Sequence, residues 1–160
     1  MSYEELLLLE GNKQSIYSPS VVLDSETIAR VLLSPKHYSD GEIHSSAFEQ
    51  IFHPKGMSIL RLNHSFEESL SKTIEELEND SAKYTAYVSA KVQDIRAILI
   101  KGYRVFYILD SARKDKVGHA DIFAIRLSIK ECELPKKAFN KYVRFEISQV
   151  FNKLIEKEEA

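Results

Sequence analysis

Between Tyr103 and Leu127 the chain reads YRVFYILD, then SARKDKVG, then HADIFAIRL. Two runs rich in β-branched and aromatic residues flank a charged segment that closes on Gly118, which is the pattern of a β-hairpin. It is the strongest hairpin signal in the chain. Asp110 falls at the end of the first strand and His119 at the start of the second, with Ser111 to Gly118 as the loop between them.

The rest of the sequence is read around that hairpin. Residues 1–10 form a short apolar run, strand or helical turn, and 11–20 are turn-rich. Ile28, Val31 and Leu32 stand at i, i+3 and i+4 after Asp24 or Ser25 as N-cap, predicting a helix that Pro35 ends. Asp40-Gly41 marks a tight turn, and Ser45 or Ser46 caps a helical turn carrying Phe48, Ile51 and Phe52. Met57–Leu62 reads as a mostly buried strand. Ser65–Asp80 is the clearest helix, with Ser65 and Glu68 as a capping box and Glu67, Glu75, Glu76, Glu78 and Asp80 as a solvated face. Tyr84–Ser89 reads as a strand and Ala90–Leu99 as a helix, although one helix over about 82–100 also fits the spacing. After Pro135, the residues from Ala138 to Leu154 predict a closing helix that frays into EKEEA.

No repeat, linker or low-complexity segment interrupts the 160 residues. The expectation is one α+β domain over 1–160, with 1–10 and 157–160 frayed. Its sheet is antiparallel or mixed, of about four to five strands, with about three to four packed helices including a long C-terminal one. Lys and Arg number 22 against 24 Asp and Glu, so the basic excess of a phosphate-backbone binder is missing and nothing electrostatic calls for nucleic acid. Cys132 is the sole cysteine, which excludes an intramolecular disulfide and a thiolate-rich zinc site. The four leucines near the start are too few to span a bilayer and no cleavage site follows them, so a cytosolic protein without membrane association is expected.

Candidate chemistry gathers at the hairpin. An imidazole held by a carboxylate acts as general acid or base near neutral pH, which nominates His119 with Asp110 or Asp121 as orienting group. Asp121 lies two residues beyond His119, on the same strand face. Arg113, Lys114 and Lys116 in the loop suit an anion such as a phosphate. Arg61, inside an apolar strand, and Arg96, beside Ile95, are candidates for buried guanidinium groups. Each requires a carboxylate such as Asp94, Asp110 or Asp121, or an anionic ligand. His37, His44, His53 and His64 lie close in sequence but at separations that match no metal motif, so no metal site is assigned. Phosphate-loop, dinucleotide, zincin and nucleophile-elbow motifs are absent, and no cofactor is implied.

The order HSSAFEQ, GMSILRL, QDIRAI and then D…GHADI resembles small bacterial proteins of unassigned function. The matching positions are Ser45, Ser46, Ala47, Phe48, Ser58, Ile95, Arg96, His119 and Ala120. The resemblance implies no reaction, but it implies that Ser46, Arg96 and His119 belong to one site. The longer, lysine-rich loop before His119 departs from it.

Two functional classes follow. The first is a binding or accessory module that holds a partner protein through a sheet edge or the 111–118 loop. The second is an enzyme, a hydrolase or transferase, in which His119 is the acid/base, Ser46 joins it, and Arg96 or Arg61 neutralises a small anionic ligand. A phosphoester, a nucleotide or an ADP-ribosyl group suits those cations. Missing motifs favour the first class; the convergent polar set sustains the second.

Overall fold

The computed structural model describes residues 1–158. The chain begins with α1 (Tyr3–Glu10), followed by β1 (Thr27–Ser34) and a two-residue hairpin of β2 (Tyr38–Ser39) and β3 (Glu42–Ile43). A 3₁₀ helix (Ser45–Phe52), β4 (Met57–Arg61), α2 (Phe66–Leu77), β5 (Lys83–Lys91) and α3 (Val92–Arg96) come next. β6 (Leu99–Ile100) and β7 (Tyr103–Arg104) form a small ribbon ahead of β8 (Phe106–Asp110) and β9 (His119–Ala124). α4 (Ile129–Cys132), α5 (Lys136–Val150) and β10 (Lys153–Glu156) complete the described residues.

Six strands make an α+β sheet in the order β10-β5-β1-β4-β9-β8, with every neighbouring pair antiparallel. One face carries the larger core, in which Ile28, Leu32, Ile59, Ile108 and Ile122 meet Phe48 of the 3₁₀ helix and Phe139, Val143 and Ile147 of α5. The other face is covered by α2, whose Phe66, Leu70 and Ile74 pack on Val31, Leu33, Leu60 and Tyr84. The hairpin read from the sequence is present, with Leu109 opposite Asp121 and Asp110 opposite Ala120. Tyr103 and Arg104 are not part of it; they pair with Ile100 and Leu99.

The helix expected after Asp24 is instead the central strand β1. Residues 28–33 are all buried, because α5 and α2 cover the sheet from opposite sides. Burying an Ile, Val or Leu side chain is worth roughly 1.5–3 kcal/mol, whereas helix propensities differ by at most about 0.7 kcal/mol per residue. Burial on both faces therefore decides, and the i, i+3, i+4 spacing is a by-product of a continuous apolar run. The same effect extends β5 to Lys91 and leaves α3 only five residues. Leu154, expected on the closing helix, lies in β10, which hydrogen-bonds along β5. Ser65 has a left-handed backbone (φ 49°) and makes no side-chain cap, so the predicted capping box does not form.

Gly118 fixes where β9 begins. Its N–H donates to Ser69 Oγ (3.1 Å) and its carbonyl accepts from the Arg61 amide (2.8 Å). A Cβ there would sit 2.4 Å from the carbonyl oxygen of His64, so only glycine fits between the loop and the start of α2.

Candidate functional site

Alternation along β9 sends His119 and Asp121 to the α2 face and Ala120 and Ile122 into the larger core. Ser58 of β4 is opposite Asp121 and Leu60 opposite His119, so these four side chains share one patch of the sheet. The His119 ring is clasped by two hydroxyls: Nε2 is 3.0 Å from Ser58 Oγ, and Nδ1 is 2.7 Å from Ser111 Oγ and 3.3 Å from the Ser111 carbonyl. Ser111 Oγ also donates to Asp121 Oδ2 at 2.7 Å.

Hydrogen-bond chemistry fixes the direction of this chain. A carboxylate only accepts, so the Ser111 proton goes to Asp121 and Ser111 Oγ must accept from His119 Nδ1. The Ser111 carbonyl makes the same demand on Nδ1. Neutral His119 thus carries its proton on Nδ1 and offers the Nε2 lone pair to the Ser58 hydroxyl. Burial lowers the His119 pKa; Asp121 and the Ser111 carbonyl oppose this, and Lys116 and Arg113 reinforce it.

These residues border a cavity of about 490 Å³ whose wall also holds Arg30, Lys36, His37, Gln50, His53, Lys55, Glu76, Arg113 and Lys116. Five cations thus face two carboxylates, in a protein whose overall charge is −2. Arg30 comes from the gap where β1 and β4, paired only at Ile28–Arg61 and Ala29–Leu60, have parted. Its guanidinium donates to the carbonyls of Ala47 (2.9 Å) and Ser58 (3.1 Å) and to Gln50 Oε1 (3.4 Å), supplying donors that the strands no longer exchange. All three acceptors are neutral. Burial lowers its pKa to about 10, against the pull of Asp121, so Arg30 stays charged at neutral pH.

His37 is buried beside it and accepts the Leu33 N–H on Nδ1 (3.2 Å), which leaves its proton on Nε2. Burial, with Arg30, Lys36 and His44 nearby, drops its pKa to about 4. Lys116 is only 6% exposed and approaches Glu76 at 3.4 Å. Burial lowers its pKa while Glu76 counteracts. Glu76, read as part of a solvated helix face, in fact ties the 111–118 loop to α2 through Arg113 and Lys116.

Of the residues nominated from the sequence, His119, Asp121 and Arg113 meet at this cavity. Lys114 is in the same loop but exposed. Ser46 lies outside the cavity wall, its hydroxyl donating to the Lys36 carbonyl. Asp110 is on the opposite face of the sheet from His119, where its carboxylate accepts the Gln14 N–H (3.1 Å). Burial raises its pKa, and the Gln14 amide, Arg61 and Lys13 partly offset this. Arg61 is fully buried and paired bidentately to Glu26 at 2.7 Å on each arm, with further bonds to Ser20 and Val21. Its partner is thus none of the aspartates suggested by the sequence. Arg96 borders a separate cleft, bonded to Glu10, Asp24 and the Val22 carbonyl. The trio of Ser46, Arg96 and His119 implied by the resemblance is therefore not assembled.

The sequence singles out His37 only among the histidines weighed for a metal and Ser58 only as a position of the resemblance, and it nominates neither Arg30 nor Ser111. Arg30 was hidden in the misread helix, and the two serines carry no signal until cross-strand register is known. Among the described residues, no cluster of three or more His, Cys, Asp or Glu is placed to hold a metal. No helix among them is long and apolar enough to cross a membrane. No family model, curated protein or solved structure matches the chain.

Proposed function

We propose that the cavity beside His119 binds a phosphorylated anion of about nucleotide size and that His119 acts on it as general acid/base, making the protein a hydrolase or transferase. One observation carries this reading. A partly buried imidazole with a defined tautomer lies at the wall of a cavity where cations outnumber carboxylates, with the buried Arg30 bonded to neutral groups alone. The volume falls within the range of about 300–1,000 Å³ usual for small-ligand sites. A depressed imidazole pKa keeps His119 unprotonated at neutral pH, as a base must be. Phosphodiesters, nucleotides and ADP-ribosyl groups all fit this description.

Turnover of a panel of phosphate esters and nucleotides tests the proposal. Wild type is expected to convert at least one class, with His119→Gln slower by on the order of 100-fold or more while still binding the anion. Absence of both turnover and anion binding would remove it.

The partner-protein reading rests on a different surface. Phe145 of α5 is 59% exposed beside a groove formed with Ile43, His44, Lys141 and Arg144. A Phe145→Asp variant that loses a co-purifying partner while keeping anion binding favours that reading for α5.

A further inference from the structure

The direction of the hydrogen bonds around His119 has a chemical consequence for the residue at the other end. Asp121 accepts from Ser111, Ser111 accepts from His119 Nδ1, and His119 Nε2 is left to accept from Ser58 Oγ at 3.0 Å. A hydroxyl hydrogen-bonded to the free nitrogen of an imidazole, whose other nitrogen is held by an anchored acceptor, is an activated nucleophile. Ser58 is half-buried in β4 and lines the cavity. Its backbone is held on one side by register with Asp121 and on the other by Arg30, which donates to the Ser58 carbonyl at 3.1 Å. Neither Ser111 nor Ser46 meets the same conditions. Ser111 gives its proton to Asp121, and Ser46 gives its own to the Lys36 carbonyl.

We infer that Ser58 is the nucleophile of this site and attacks a phosphodiester, so that a covalent phosphoseryl intermediate forms on β4; the inference rests on the anion-site reading given above. Ser58 Oγ forms a bond to phosphorus as the bond from phosphorus to the leaving alkoxide breaks. The Ser58 proton passes to His119 Nε2 and from there to the departing oxygen. Water then attacks the phosphoseryl ester and gives a proton to His119 as the bond from phosphorus to Ser58 Oγ breaks; His119 returns that proton to Ser58 Oγ, and a phosphomonoester leaves. A diester is favoured over a monoester because its reacting centre carries a single negative charge, which repels an incoming oxygen nucleophile less. Arg30, Arg113 and Lys116 supply positive charge to the wall around that centre. Ser111 and Asp121 are positioning residues, since they act on the reaction through His119.

The test is covalent labelling with a fluorophosphonate, which forms the same serine–phosphorus bond and expels fluoride. Intact mass should show one adduct, and peptide mapping should place it on Ser58. Labelling should be lost in Ser58→Ala and slowed by on the order of 100-fold or more in His119→Gln. Its rate should rise with pH through a midpoint below the ordinary imidazole value, and Asp121→Asn should shift that pH profile. Mapping on the wild type decides the matter even where a variant folds poorly. An adduct on another residue overturns the assignment of Ser58, as does an unlabelled wild type whose melting temperature still rises with pyrophosphate. In that second outcome the anion site stands. A wild type that is neither labelled nor stabilised by pyrophosphate sinks the nucleophile and the anion site together.

Discussion

Two arginines are buried in the same sheet, and they are treated in opposite ways. Arg61 is closed off: the Glu26 carboxylate accepts from two of its nitrogens, and Ser20 and Val21 accept further bonds. Arg30 is equally out of water, yet its acceptors are two carbonyls and an amide, and its charge borders a cavity lined by further cations. A buried charge balanced inside the fold is structural. One satisfied in hydrogen bonds but not balanced in charge gains from an anion arriving from outside. The difference separates an arginine whose charge is spent inside the fold from one whose charge is left for the proposed anion.

The largest effect should come from breaking the closed pair. Arg61→Met leaves the buried Glu26 without its guanidinium partner, and is expected to cost about 3–5 kcal/mol in urea unfolding. Arg30→Met also strips hydrogen bonds from Ala47 and Ser58, but it removes an uncompensated charge, so a smaller loss of about 1–3 kcal/mol is expected. Equal losses at the two positions would break the comparison.

Gly118→Ala sharpens it next. The added methyl meets the His64 carbonyl, and relief by backbone movement should cost about 1–3 kcal/mol, measured by denaturant midpoint. Because Gly118 precedes His119, fluorophosphonate labelling should fall with it. Unchanged stability would mean that the loop is not clamped there.

The smallest effect is a pH dependence specific to the cavity. His37 has an ordinary pKa of 6.5 and a folded one of about 4, so the unfolded chain binds the proton first as pH falls. Its contribution is complete above pH 6.5 and is lost between 6.5 and about 4. The depressed pKa of His119 acts in the same direction. Glu26 joins at lower pH, because burial raises its pKa but the Arg61 hydrogen bonds, the Leu23 amide and the charges of Arg61 and His64 together outweigh burial. Asparagine at position 37 still accepts the Leu33 N–H, and His37→Asn should flatten stability between pH 6.5 and 4. An unchanged slope would place the titration elsewhere.

Local patterns were legible in the sequence, and partnerships across the sheet were not. The hairpin, the 3₁₀ turn, β4 and α2 each announce themselves by alternation, helical spacing or turn residues within a few positions. β1 does not, since a strand buried on both faces shows no alternation and any helical stripe can be drawn through it. His119 and Asp121 were found because they flank a visible loop on one strand. Asp110 flanks the same loop, but nearness in sequence does not bring it to His119, because the pleat sends their side chains to opposite faces. Ser58, Arg30 and His37 depend on register between strands distant in sequence, which no local pattern encodes.

Thermal melting with pyrophosphate at low ionic strength, on wild type, Arg30→Met and Arg96→Met, tests the contrast between closed and open charge most directly. Wild type should be stabilised by mass action, Arg96→Met should respond in the same way from whatever baseline it has, and Arg30→Met should lose most of the response. A wild type indifferent to pyrophosphate, or an Arg30→Met protein that responds fully, would contradict the account.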